Sequence, residues 1–406
     1  MKNNLNYLLL GMLLLVGCGQ QTKKDKKMEE PSHGKGSLGH DREFLENKDK
    51  DLVILKSESA VVLVSPKYQA KVFTSSASGD KGKSLGWINY KAFLGDLDPH
   101  MNAYGGENRF WLGPEGGKFS LFFSQGQEMT FDHWKTPPPI DSESWKVTDK
   151  SATGVRMEKE MSLRNYAYTQ LEIKAVRNVQ ILDAQQIENL LQIDLGQLKF
   201  VGYKTSNEIV NTGQNPWTEK TGAPCIWMLD MFPPSDRTTI VIPYREDAKG
   251  KIATTDYFGE IPEDRIVYAD NTIFFKADGK YRGKLGVPPQ RAKNVAGSYD
   301  PTDQLLTITL FDLERNAVYL NQEWTPDKDP FTGDAINAYN DGPLEDGSQM
   351  GPFFEIESVS PAAFLKPGEK MVHDHSVFHF IGNEDQLDAI AIKVLGVGIG
   401  TILKKS

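Results

Sequence analysis

Short runs in which apolar and polar residues alternate at every second position recur along this chain, and they predict β-strands. Clear examples are Val61–Val64, Lys118–Phe123, Leu171–Val176, Thr239–Ile242, Thr272–Lys276 and Leu305–Phe311, set apart by clusters of glycine, proline, aspartate and asparagine. Helical spacing is scarce. It is clearest near the C-terminus, where Leu387, Ile390, Ala391, Val394 and Leu395 share a face and Asn383 with Gln386 resembles a capping pair. There is no repeat of fixed period, no glycine-rich phosphate loop and no alternation of strands with helices, which argues against a propeller, a solenoid or a nucleotide-binding α/β domain. The pattern predicts an all-β fold: a large sandwich of antiparallel sheets with few short helices, one of them near the C-terminus.

The first fifty residues break this pattern. Lys2, the apolar run Leu8–Val16 and the sequence Leu15-Val16-Gly17-Cys18 read as a lipoprotein signal peptide over residues 1–17. A small residue before the cysteine lets a peptidase cut there, and the thiol takes a diacylglycerol. The expected membrane partnership is therefore a lipid anchor at Cys18, and the apolar run is too short to span a bilayer comfortably. Gly19 rather than aspartate follows the cysteine, which favours the outer membrane of the bacterial envelope, on its periplasmic or surface face. Residues 18–50 are rich in charge and poor in large apolar side chains, so they read as a lipidated, disordered tether. Residues 51–406 read as a single domain.

Composition narrows the partners. The formal net charge of −9 argues against nucleic acid and leaves small polar molecules, sugars among them, open. Of the two cysteines, only Cys225 would remain free of lipid, so no intramolecular disulfide is available. In its apolar run Cys225 reads as a small core residue.

Three constellations carry candidate chemistry. Glu355 and Glu357 alternate with Phe354, Ile356 and Ser358 in one strand, and the turn pair Pro367-Gly368 leads to a second strand, Met371–Phe380. That strand places His373, His375 and His379 on one side. Three of the chain's seven histidines are gathered there, and two neighbouring strands are expected to bring them beside the glutamates. Such a cluster suits general acid/base work or a divalent metal; no other cofactor is expected. The second constellation is Gly105-Gly106-Glu107-Asn108-Arg109-Phe110-Trp111, closing on Glu115-Gly116-Gly117. Its glycine pairs permit close backbone approach, Arg109 offers a rigid hydrogen-bonding fork and Trp111 an aromatic face for a sugar. The third is Asn340-Asp341-Gly342-Pro343, a turn that can touch a ligand. His100 and Trp134 are further candidates for a cleft wall.

Two segments resemble galactose-mutarotase-like proteins, the aldose 1-epimerase superfamily, and the body from about Asp51 onward resembles a family of bacterial lipoproteins within it, through Gly105–Gly117 and Tyr339-Asn340-Asp341-Gly342-Pro343. Glu357-Ser358-Val359-Ser360-Pro361, then Leu365-Lys366-Pro367-Gly368-Glu369 and a histidine-bearing strand, is similar to the C-terminal signature of the epimerases, with Glu357 on their catalytic glutamate. Gly106-Glu107-Asn108-Arg109 is similar to their sugar-binding asparagine–arginine segment. The resemblance implies a β-supersandwich with a carbohydrate-facing cleft. It implies Glu357 as base, Glu355 as support and Arg109 on sugar hydroxyls; beside these, the residue types single out Glu107, Asn108, Trp111, Glu115, His100, Asn340, Asp341 and His379 as candidates toward substrate. The mid-chain histidine that serves the epimerases as acid is missing, because no histidine lies between His133 and His373. The acid role then falls to His100 or to the strand histidines, His375 and His373 first among them and then His379. Three readings stay open: carbohydrate binding, a sugar-active enzyme of epimerase or glycan-cleaving type, and a structural role at the envelope.

Overall fold

The computed structural model describes residues 33–344 and 346–405. The expected signal segment, Cys18 and the first part of the expected tether lie outside the described residues. Among those described, the first element is helix α1 (Leu38–Lys48), capped by the Ser37 hydroxyl, which accepts from the His40 N–H. This corrects the expectation of a tether reaching residue 50. Leu38 and Leu45, seven residues apart and so on one helical face, are fully buried with Leu63 and Phe73. Few apolar residues suffice when strands already offer the other half of the contact.

Strands β1 (Val53–Ser57), β2 (Ala60–Ser65) and β3 (Lys71–Ser76) form a three-stranded sheet beside α1. A five-stranded sheet contains β4 (Arg109–Gly113), β9 (Cys225–Phe232), β13 (Gly283–Val287), β16 (Ile336–Asn340) and β17 (Phe354–Val359), in the order β13-β16-β17-β9-β4. A ten-stranded sheet contains β5 (Lys146–Lys150), β6 (Gly154–Arg164), β7 (Gln170–Ile181), β8 (Lys199–Asn211), β10 (Thr239–Pro243), β11 (Ile266–Ala269), β12 (Thr272–Lys276), β14 (Val295–Asp300), β15 (Leu305–Phe311) and β18 (Lys370–Ile381). Its order is β11-β12-β10-β14-β15-β18-β8-β7-β6-β5. The pairings within these sheets are antiparallel, as the period-two pattern predicts. Lys118–Phe123 departs from it: the segment is turn and bend, and Phe119, Leu121, Phe122 and Phe123 are buried without pairing.

The two larger sheets face each other across the main core. On its outer side the ten-stranded sheet buries Phe378, Phe380, Leu306 and Val241 against helices α2 (Ala184–Leu191), α3 (Glu384–Leu395) and α4 (Ile399–Lys405). Helix α3 is the expected C-terminal helix, and its capping box pairs Asn383 with Gln386.

One feature of this layering overturns a sequence expectation. The glutamate strand β17 and the histidine strand β18 are not neighbours in one sheet but belong to opposite sheets. The turn at Gly368, φ +82°, is present, but the chain between Ser360 and Glu369 crosses from one layer to the other.

Candidate functional site

Directly opposed residues of an antiparallel pair send their side chains to the same face. Across the five-stranded sheet one row therefore runs Lys284, Tyr339, Glu355, Met231, and the next Asn337, Glu357, Leu229, Arg109. Trp227 with Trp111 makes a third row. This face is the floor of a cleft of about 300 Å³, walled by Trp134, Trp324, Phe131, Phe258 and Phe353. The intervening residues, Asp230, Ile356 and Ser358, point the other way, into the seam between the sheets.

The floor combines indoles with buried charge. Arg109 is ion-paired with Glu355, and its guanidinium lies 5.0 Å from the centre of the Trp111 ring. Glu357 lies two residues along from Glu355 on the same face and is fully buried. Its Oε2 accepts from the Trp227 indole N–H at 2.8 Å and pairs with the Lys284 ammonium at 3.2 Å, while its Oε1 has no partner among the described residues. Lys284 also stands over the Trp227 ring, 4.7 Å from its centre. Glu115 completes a group of three carboxylates around two cations.

Such crowding sets the protonation. Burial, with Glu357 and Asp341 adding to it against Arg109 and Lys284, pushes the Glu355 carboxyl up to about 7. Burial likewise raises Glu115, partly offset by Lys284. For Lys284 burial works toward deprotonation, but Glu357, Glu115 and Glu355 outweigh it and hold the ammonium above its ordinary value. The cleft thus keeps a permanent cation beside a carboxyl that gains and loses its proton near neutrality.

Of the sequence candidates, His100, Arg109, Trp111, Glu115, Trp134 and Glu355 line the cleft. His100 stacks on Phe131, ring centroids 5.1 Å apart, and its Nδ1 lies 2.6 Å from the Trp134 carbonyl. Glu355 lines the cleft, while Glu357, on the same face of β17, is fully buried beside it. The other candidates do not reach the cleft. Asn340 accepts from the Gly279 N–H and donates to the Tyr281 carbonyl, closing a loop. Asp341 accepts from the Tyr339 hydroxyl and the Gly351 N–H, steadying the rim.

Glu107, Asn108 and the three histidines lie in the seam. The Asn108 amide donates to Asp230 at 2.6 Å, and its carbonyl oxygen accepts from Arg177. Glu107 accepts from the Ser75 hydroxyl and meets His379 at 3.1 Å. His373 and His375 both bond to the Ser358 hydroxyl, at 2.9 and 2.8 Å, and His375 reaches Asp230 at 2.7 Å. The order Ser358–His375–Asp230 has the connectivity of a charge relay, yet each member is buried and no described cleft reaches them. Burial and the neighbouring His375 lower the His373 pKa to about 3, so this ring stays neutral. Pairing Glu357 with a strand histidine is therefore corrected: Glu357 and Ser358 point to opposite faces of β17, and the histidines follow Ser358. No group of three or more metal-ligating side chains is assembled among the described residues.

The glycine pairs also find a different use. Gly105, at φ +82°, has no room for a Cβ, which would come 2.3 Å from the Trp87 carbonyl, and a Cβ on Gly116 would come 2.1 Å from that of Glu323. The close approach is to the protein's own backbone. Cys225 is buried as expected, its thiol pushed up to about 12 by burial.

Sequence reasoning missed Lys284, Trp227, Tyr339, Arg282, Phe258 and Trp324. One signal was available: a lone lysine inside the short strand Gly283–Val287, all of whose residues are buried, is rare unless the charge is paired. The aromatic walls come from loops with no period to read.

Among solved structures the chain is similar to a galactose mutarotase-like protein from Lactobacillus casei ATCC 334, 10% identical, over 81% of this chain and 99% of that one, with a TM-score of 0.49. It is also similar to a protein from Synechocystis sp. PCC 6803, 13% identical, over 82% and 96% of the two chains, TM-score 0.49. A third is a galactose mutarotase related enzyme from Lactobacillus acidophilus, 9% identical, over 81% and 97%, TM-score 0.45. No curated protein matches the sequence. A family model does match, over residues 36–406, and the chain belongs to that family, described as a family of unknown function (DUF6786).

Proposed function

We propose that the cleft binds a small carbohydrate. One observation carries this reading: a single face of the five-stranded sheet presents Trp111 and Trp227 together with Arg109, Lys284 and Glu355 into one walled cavity. Aromatic faces take the C–H side of a pyranose ring, while fixed charged donors and acceptors hold its hydroxyls. The motif resemblance at Arg109 points the same way. Calorimetric titration with mono- and disaccharides tests it. Trp134→Ala, which removes a wall while leaving Arg109, Lys284 and Glu355 in place, is expected to weaken binding roughly thirtyfold, the middle of the ~1–3 kcal/mol stacking range. Absence of heat with every sugar would sink the proposal.

A specific observation favours a second reading, an enzyme acting at the anomeric carbon. Glu355 and Glu357 share one face of one strand, about 7 Å apart along the chain by strand rise. In such a step protonated Glu355 delivers its proton to the ring oxygen as the bond from the anomeric carbon to that oxygen breaks. Glu357 takes the proton of the anomeric hydroxyl, leaving an aldehyde, and reclosure on the other face reverses both transfers. Glu355 here occupies the role the resemblance gives to a histidine. With its pKa at about 7, the acid form is present below neutrality and is lost as the pH rises through that value. Anomer exchange followed by NMR is expected to fall above pH 7 and to drop at least a hundredfold in both Glu355→Gln and Glu357→Gln. If the wild type does not accelerate exchange, the cleft binds without turning over.

Lipid anchoring at Cys18 and placement in the envelope are likewise proposals, supported by Leu15-Val16-Gly17-Cys18. Intact-mass analysis of membrane-extracted protein is expected to show an acylated N-terminal cysteine; an unmodified full-length N-terminus contradicts this.

A further inference from the structure

A second cleft, of about 380 Å³, shares a wall with the first but no lining residue. Phe122 lines it and stacks on Trp134 of the first cleft, ring centroids 5.8 Å apart and planes 15° from parallel. The connecting chain is divided in the same way: Trp134 faces the first cleft, while Lys135 and Thr136 line the second.

Three features of this cleft point to a ligand. Its charged lining residues are Lys135 and Arg164, and no carboxylate lines it, although the protein carries a net charge of −9. Glu172 accepts from the Ser162 hydroxyl at 2.7 Å but does not itself line the cleft. Tyr168 is 61% exposed, with the Arg164 guanidinium 4.5 Å from the centre of its ring. A turn holds it in place: the Tyr168 N–H donates to the Asn165 carbonyl at 2.8 Å, and the Asn165 side chain caps Thr169. Finally, Thr136 is only 5% exposed, and its hydroxyl has no partner among the described residues. Burying a hydroxyl unpaired is unfavourable, and a native structure keeps few such groups without a use. The volume falls in the range of small-molecule sites, roughly 300–1,000 Å³.

We propose that this cleft binds the anionic unit of an acidic saccharide, a sugar ring bearing a carboxylate or a sulfate ester. Arg164 and Lys135 take the anion, the open Tyr168 ring supports the sugar, and the Thr136 hydroxyl bonds to one of its hydroxyls. Binding here is non-covalent and independent of whether the first cleft holds a sugar.

Calorimetry on the folded protein, with four probes, tests the proposal. The probes are a galacturonic acid disaccharide, a sulfated disaccharide, a neutral disaccharide and sodium sulfate. At least one acidic disaccharide is expected to bind saturably, more weakly as salt rises, and the carboxylate and sulfate arms tell the two anions apart. The double variant Lys135→Ala/Arg164→Ala, both exposed positions, is expected to lose tenfold or more in affinity, as for roughly one charge-assisted hydrogen bond. Thr136→Val is expected to weaken binding severalfold while leaving the melting temperature of the free protein unchanged or higher, since it deletes an unpaired polar atom. The proposal fails if neither acidic disaccharide binds, if sulfate alone binds as tightly as the sugars, or if the double variant binds unchanged.

Discussion

Asp230→Ala is expected to cost about 3–5 kcal/mol of folding stability, the range for breaking a buried ionic network from one side. Asp230 is fully buried between the two large sheets and joins both of them. From the five-stranded sheet it reaches His375 of the ten-stranded sheet at 2.7 Å, and it accepts from Asn108 at 2.6 Å. Asn108 in turn accepts from Arg177, which is itself fully buried and held to Asn207 at 3.0 Å. Burial lowers the Arg177 pKa to about 10, and Asp230 is one of the groups opposing that shift. Truncation therefore strands a histidine nitrogen and an amide, and removes a counter-charge from a buried guanidinium. Asp230→Asn keeps an acceptor for Asn108 and offers an amide N–H to His375 Nε2, so its loss should be smaller, about 1 kcal/mol. Urea denaturation of the two variants separates these outcomes. A loss below about 1 kcal/mol for alanine would mean that the polar seam does not hold the sheets together.

Lys284→Met is expected to have the second large effect, one that depends on pH. Its ammonium serves Glu357, Glu115 and Glu355, all buried, and without it Arg109 is the cation left to the group. Removing the ammonium, which lowers both Glu355 and Glu115, raises these two carboxyls further, so they take up protons more readily. A carboxyl whose folded pKa is raised contributes stability that is fully present below its unfolded value and is lost as the pH rises through the folded one. For Glu355 in the wild type that window runs from its ordinary value of 4.5 to about 7. In Lys284→Met the loss should be deeper and extend to higher pH. The two proteins are thus expected to be closest in stability near pH 5 and to diverge by several kcal/mol toward pH 8, with sugar binding lost throughout. A gap that is constant across this range would show that Lys284 does not neutralise the group.

The period-two pattern made much of this architecture legible. It placed the strands around Val61, Leu171, Thr272 and Leu305, and it put Glu355 with Glu357 on a common face. Alternation is local, however, and says nothing about which sheet a strand joins. Sequence proximity suggested a Glu/His strand pair, whereas the chain crosses between layers at residues 360–369 and leaves the two sets of side chains on opposite sides of β17. Glu107 misled for a related reason. By alternation it belongs with Arg109, but it precedes β4, and the left-handed turn at Gly105 and Gly106 redirects it into the seam. The aromatic walls and Lys284 converge from distant segments, and their meeting is a property of the tertiary fold rather than of any window of sequence.

The central claim is that the charged and indole-bearing face of the five-stranded sheet is the floor of a carbohydrate site. A crystal structure of the protein soaked with the saccharide that binds most tightly in calorimetry tests it most directly. The expected result is a sugar ring against Trp111 or Trp134, with hydroxyls within hydrogen-bonding distance of Arg109 and Glu355. A sugar bound elsewhere, with this cleft holding only solvent, would contradict it.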